Sequence, residues 1–287
     1  MKRLFGWLRD LIIDNKNSFA VDKNFISSNV LTKNAEKTSA QRVRNIYDPS
    51  AVKPFKVSRS KLELFMRCKR CFYLDRRLGV KIPPGYPFSL NIAVDALLKK
   101  EFDRYREEQK SHPLCVENGI EAIPFKHADI ERWRDSLHAG VQYVVPNTNL
   151  MLQGGLDDVW ENPKTKELMV VDYKATSKIS EVSLDAEWQI GYKRQAEIYQ
   201  WLLRKNGFNV SDTAYFVYCN GKVDKKSFSK QLHFDVLLLP YKGNDSWVEP
   251  AVLEAYKCLQ LEVIPEAEAS CDYCQYWKAV KRHILDT

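Results

Sequence analysis

The sequence predicts an α/β domain in which a mixed β-sheet is flanked by helices. Three stretches carry that prediction. Two strand-like runs, Gly154–Trp160 and Leu168–Lys174, are separated by residues 161–167, where Asn162-Pro163-Lys164-Thr165-Lys166 is turn material. Residues 90–106 place Val94, Leu97, Leu98, Phe102 and Tyr105 at helical spacing. Residues 184–204 repeat Trp188, Tyr192, Gln195, Tyr199 and Leu202 at intervals of four and three, a single stripe that packs this helix across the hairpin.

A chain of 287 residues, 45% hydrophobic and 28% charged, can bury a sizeable core and is not composed like a disordered one. A net charge of +7 fits a nucleic-acid partner without requiring one. No apolar run approaches the roughly 18 residues of a membrane span. Arg9 and Asp10 interrupt the apolar start of the chain, which argues against a signal peptide. The expected location is therefore the cytoplasm, where seven cysteines read as thiols or metal ligands rather than disulfides. No nucleotide-binding glycine loop is present, so this chain carries no helicase motor of its own.

In chain order, residues 1–14 form a candidate amphipathic helix through Leu4, Trp7, Leu8, Leu11 and Ile12, and residues 15–56 read as a mobile linker without period. The folded domain is expected over 57–287. It opens with a helix near Ser58–Met66, with Ser58 or Ser60 as N-cap, followed by Cys68 and Cys71 and a turn at 83–85. Asp95 leans towards the apolar stripe of the 90–106 helix, where a carboxylate needs a partner. Short elements around 128–139 and 141–145 precede the hairpin, and His112, His127 and His138 show no ligand spacing. Gly207 closes the 184–204 helix. A strand at 213–219 ends on the turn signal Asn220-Gly221. A strand at 232–239 is ended by Pro240, a helix runs over 247–261, and Cys271 and Cys274 lie in the tail.

The hairpin holds the candidate chemistry. A turn centred between Lys164 and Thr165 sets Asp157 opposite Asp172 and Gly155 opposite Lys174, and side-chain alternation puts Asp157, Asp172 and Lys174 on one face. Facing carboxylates repel unless a cation lies between them, and a hard ion such as Mg2+ or Mn2+ suits oxygen ligands, with the Tyr173 carbonyl as a further donor. Lys174 is placed to orient a water or steady developing negative charge. Asp158 is expected on the opposite face, unless a bulge exchanges the two aspartates. Gln195, an amide between two tyrosines of its stripe, needs a function or a partner. Trp188, Tyr192 and Lys193 are candidates to line a groove for a nucleic-acid strand, against the commoner reading of an aromatic stripe as core. The pairs Cys68-x-x-Cys71 and Cys271-x-x-Cys274 can complete a four-cysteine site for Zn2+ or a [4Fe–4S] cluster, and their spacing does not choose between them. Cys115, Cys219 and Cys258 read as small buried hydrophobes.

The order Gly154-x-Leu156-Asp157-x-Val159, then Val170-Val171-Asp172-Tyr173-Lys174, then Gln195-x-x-x-Tyr199 resembles the RecB-like branch of the PD-(D/E)XK nuclease superfamily, over roughly residues 57–278. The resemblance implies a restriction-endonuclease-like core and metal-assisted DNA phosphodiester hydrolysis at Asp157, Asp172 and Lys174. It also implies roles for Gln195 and Tyr199 beside the metal or the nucleic acid. Asp95 stands where that family places a metal-binding histidine. CRISPR-associated and AddB-type relatives bind an iron–sulfur cluster with one cysteine before the core and three after it. Here the division is two and two, which keeps zinc open. The sequence thus leaves three readings. One is an active Mg2+- or Mn2+-dependent deoxyribonuclease of repair, recombination or defence, acting on DNA with single-stranded character. The others are a binding module of the same fold, and a scaffold for a helicase or repair partner.

Overall fold

The computed structural model describes residues 41–83, 85 and 89–285; the candidate helix at 1–14 and the linker as far as residue 40 lie outside the described residues. The order of elements is β1 (Phe55–Ser58), α1 (Arg59–Arg67), α2 (Lys69–Arg76), α3 (Ser89–Glu108), α4 (Pro113–Glu117), β2 (Ile123–Pro124), α5 (Ile130–Arg134), β3 (Val141–Val144), β4 (Leu150–Gly154), β5 (Asp158–Glu161), β6 (Leu168–Thr176), α6 (Ile190–Lys205), β7 (Thr213–Gly221), β8 (Phe234–Lys242), α7 (Val248–Gln260) and α8 (Asp272–Leu285). A five-stranded mixed sheet runs β2-β5-β6-β7-β8 and a three-stranded one β1-β4-β3. In the larger sheet β6 and β7 are parallel and the other pairs antiparallel. The α/β architecture with flanking helices is the one the sequence predicts.

Alternation along β6 divides the core. Met169, Val171 and Tyr173 pack with Leu98 and Phe102 of α3 and Trp160 of β5. Leu168 and Val170 face the other way, towards Ile198, Leu202 and Leu203 of α6 and Val252 of α7. One helix therefore covers each face of the sheet at β6, and the buried run Leu168–Tyr173 is what a strand covered on both sides needs. On α3, Leu98 and Phe102 are buried but the expected core residue Leu97 is exposed, and Arg106 lies inside instead.

The hairpin is paired in the predicted register, from Glu161 opposite Leu168 to Asp158 opposite Val171. The ladder stops there, so Gly155 is not paired with Lys174. The first arm breaks because β4 and β5 belong to different sheets, and residues 155–157 carry the chain across. Crowding makes the break: a Cβ on Gly154 would lie 2.6 Å from the Tyr199 ring, and one on Gly155 2.5 Å from Ser136. Three further boundaries move. The 184–204 helix begins at Ile190 after a 3-10 turn at Glu187–Gln189. Asn220 and Gly221 stay in β7 rather than turning. Pro240 lies within β8, which is tolerable because β8 is an edge strand. Gly207, at φ +87°, follows α6 as expected.

Order also reaches further back than residue 57. Tyr47 is 1% exposed, its hydroxyl donates to Asn149 Oδ1 at 2.8 Å, and Gln260 donates to it in turn. Phe55 packs edge-on against its ring, and β1 pairs with β4 from Phe55 onward. No local periodicity could announce this, since both partners of the Tyr47 hydroxyl lie more than 100 residues away. Tyr47→Ala is expected to lower unfolding stability by about 3–5 kcal/mol, the range for deleting a buried aromatic ring. Urea denaturation checks it, and a change within experimental error would return residues 41–54 to the linker.

Candidate active site and four-cysteine centre

Asp172, Tyr173 and Lys174 alternate along β6. Asp172 and Lys174 turn towards α6, and Tyr173 turns towards α3. Asp172 has no exposed surface. Gln195, one helical turn before Tyr199 on α6, donates from Nε2 to Asp172 Oδ1 at 2.7 Å and to the Tyr199 hydroxyl at 3.2 Å. The amide that looked misplaced in an apolar stripe is thus the carboxylate's partner. Lys174 Nζ forms an ion pair with Asp172 Oδ2, and no other described group donates to this buried oxygen. Burial pushes Asp172 up to about 7, with Asp157 adding to the rise and Lys174 opposing it. Burial acts to lower Lys174, but Asp172 and Asp157 outweigh it and its ammonium is stabilised overall.

Asp157 sits just ahead of β5, past the end of the ladder. Its Oδ2 accepts the Tyr173 N–H at 2.9 Å, and Lys99 Nζ lies 3.7 Å from its Oδ1. The Tyr173 carbonyl shares the strand edge of that N–H, the side on which Asp157 lies. Asp95 also reaches this place: it accepts Lys99 Nζ at 2.8 Å, so one ammonium stands between Asp95 and Asp157. A cavity of about 460 Å³ opens here, lined by Asp95, Asp157, Lys174, Tyr192 and Gln195 together with Arg59 at the start of α1. A slightly larger cleft, about 520 Å³, lies between α1 and the start of α8; it borders Cys68 and Cys271 rather than the aspartates, and size alone does not make it reactive.

The structure therefore brings Asp157, Asp172, Tyr173, Lys174, Gln195 and Tyr199 together, with Asp95 on the cavity rim. It does not draw the three carboxylates into one tight ligand cluster, because Lys99 separates two of them. The available ligand atoms are all oxygen, and Asp172 Oδ2 is met only by the Lys174 ammonium, so the residues fit a hard divalent ion. Two basic residues were missed. Lys99 was readable as the i+4 partner of Asp95. Arg59 gave no local signal, since its closeness to Asp172 and Tyr199 arises from tertiary packing.

Asp158 points the other way, as alternation predicts. It has no exposed surface, pairs with Arg106 and with Arg134 at 3.2 Å, and accepts the Tyr173 hydroxyl at 2.7 Å and the Val159 N–H at 2.8 Å. It belongs to the interior, not to the cavity.

At the starts of α2 and α8 the two cysteine pairs meet. Cys68 and Cys71 stand at the start of α2, and Cys271 and Cys274 at the start of α8. The sulfurs of Cys71 lie 3.6 Å from those of Cys271 and Cys274, Cys68 lies 3.9 Å from Cys274, and all four fall within 4.8 Å of one another. Burial acts to raise Cys68, yet backbone N–H groups of Cys71 and Glu268 lower it overall; burial raises Cys71 and pushes Cys274 up to about 11. Four sulfurs at two helix N-termini can bind a metal ion. Cys115, Cys219 and Cys258 are buried elsewhere, as expected.

The family profile described as the PD-(D/E)XK nuclease superfamily matches residues 56–279. No match was found among curated proteins. Among the described residues no helix is long and apolar enough to cross a membrane.

The neighbouring aspartates should separate cleanly on substitution. Asp158→Ala leaves two buried guanidinium groups without their carboxylate and is expected to cost about 3–5 kcal/mol. Asp157→Ala, at the cavity wall, is expected to cost less than about 1 kcal/mol. Thermal and urea unfolding of both variants check the difference; equal losses would remove the division of roles between them.

Proposed function

Since the chain belongs to the PD-(D/E)XK nuclease superfamily, we propose that it is a metal-dependent nuclease that hydrolyses DNA phosphodiester bonds at Asp157, Asp172 and Lys174. The observation that carries this reading is Asp172 itself: a buried carboxylate fixed through one oxygen by Gln195 and faced through the other by a lysine, beside a second carboxylate. A scaffold needs none of that. Asp157, Asp172 and the Tyr173 carbonyl would hold Mg2+ or Mn2+, with Asp95 as an outer ligand if Lys99 withdraws. When bound, the ion supplies charge stabilisation at the phosphate. Lys174 orients the attacking water and donates to the phosphate oxygens, and its raised affinity for the proton keeps it a cation while it does so. Gln195 and Tyr199 hold Asp172 in place. Arg59 makes no ion pair with any described residue and lines the same cavity, where it is free to clamp the phosphate.

The Gln195-x-x-x-Tyr199 element and the cysteine pairs support a place in the RecB-like branch, in DNA repair, recombination or defence, in the cytoplasm beside a helicase. For the cysteines we favour one Zn2+ over an iron–sulfur cluster. A tetrahedral ion with Zn–S bonds of about 2.3 Å requires sulfurs about 3.8 Å apart; three of the sulfur pairs lie 3.6–3.9 Å apart and all four sulfurs within 4.8 Å. A cubane attaches each sulfur to a different iron and needs them further apart.

Wild-type protein should cut end-labelled DNA with Mg2+ or Mn2+ and not with EDTA. Asp172→Ala and Lys174→Ala should each lose at least about 100-fold in rate, the cost of removing a principal electrostatic group, while both variants remain folded by circular dichroism at the assay temperature. Cleavage by Asp172→Ala at the wild-type rate would rule out this site, and DNA binding without any cleavage by wild type would favour the binding module. Elemental analysis should find one zinc per chain and no iron. Cys71→Ser should abolish that zinc and lower the melting temperature by about 5 °C or more. Iron with visible charge-transfer absorption would decide for the cluster.

A further inference from the structure

Trp188 is the one residue of the α6 stripe that faces outward, and its surroundings are built rather than loose. It stands on the 3-10 turn before α6 with 59% of its surface exposed. Gln189, which has no exposed surface, fixes that turn by accepting the Ala186 N–H at 3.0 Å and donating to the Ser183 carbonyl at 2.7 Å. The indole meets Tyr192 edge to face, with ring centres 5.4 Å apart. Lys174 Nζ lies 4.6 Å from the Tyr192 ring centre, and Lys178 Nζ lies 5.5 Å from that of Trp188. Lys178 is held in turn: its N–H donates to Asn220 Oδ1 at 2.7 Å, and Asn220 Nδ2 donates back to its carbonyl at 3.0 Å. A continuous row thus leads outward from Asp172, two rings flanked by two cations: Lys174, Tyr192, Trp188, Lys178.

A buried core does not explain an exposed indole, and a duplex would keep its bases stacked within itself. Unpaired bases offer π-faces to the open side of the indole while their phosphates meet the lysines, a combination that binds single strands with little regard to sequence. We propose that Trp188, with Tyr192 and Lys178, forms a stacking platform that receives single-stranded DNA and feeds it to the cavity. The inference rests on the nuclease reading and adds the form of the substrate and a positioning residue outside the reacting centre.

The test is fluorescence anisotropy of the full chain without added Mg2+, using labelled oligothymidylate and a labelled blunt duplex, with cleavage of both measured separately in Mg2+. Trp188→Ala should bind oligothymidylate about tenfold or more weakly, as loss of one stacked base predicts, and bind the duplex about as wild type does. Trp188→Phe, which keeps a ring, should recover most of the loss. Lys174→Ala should abolish cutting of both probes. Equal oligothymidylate binding by Trp188→Ala and wild type, with wild type still cutting DNA, overturns the platform and leaves the nuclease. Wild type that neither binds nor cuts either probe overturns both.

Discussion

The arrangement depends on one buried carboxylate that is not part of the proposed reaction. Asp158 draws Arg106 from α3, Arg134 from α5 and the Tyr173 hydroxyl from β6 to a point with no access to water. A charge there is tolerable only because every partner is in place. Holding Asp158 inward by three elements turns its neighbour Asp157 outward, since adjacent side chains on a strand take opposite sides. The same alternation along β6 makes Tyr173 an inward anchor between two residues that face the α6 side. The interior network thereby fixes the position of the cavity's carboxylates.

The second constraint is steric. For Gln195 and Tyr199 to reach Asp172, α6 must lie close on the strands, and it does so over Gly154, where any side chain would strike the Tyr199 ring. The chain then leaves one sheet and enters the other at residues 155–157. Asp157 therefore stands at a junction instead of within a ladder, and this leaves Oδ1 open to the cavity while Oδ2 takes the Tyr173 N–H.

What was legible in the sequence follows from these local rules. The hairpin register could be read from one turn, and the facing of Asp157, Asp172 and Lys174 from a period of two. The role of Gln195 followed from an amide out of place in an apolar stripe. The break after Gly154 was not legible, because two adjacent glycines state that space is short without stating what fills it. Tyr47 and Arg59 were missed for the same reason: their partners, Asn149 and Gln260 for one and the Asp172 cavity for the other, are distant in sequence. The meeting of the cysteine pairs was read from their ligand-like spacing, which left the metal open.

Charge balance gives the proposed site its selectivity. Asp95, Asp157 and Asp172 face Lys99, Lys174 and Arg59, three carboxylates against three cations around one cavity. Left to themselves these groups compensate one another, so the site has little net pull on a divalent ion alone. It has little on a phosphate alone either. Asp95, Asp157 and Asp172 would hold a divalent ion in place of Lys99 and Lys174, whose ammonium groups would then be available to a phosphate. A phosphate on Arg59 and Lys174 likewise uncovers the carboxylates for an ion. Each improves the binding of the other, and this coupling is reciprocal by necessity. On the proposed reading, hydrolytic capacity is therefore assembled mainly when metal and nucleic acid are present together.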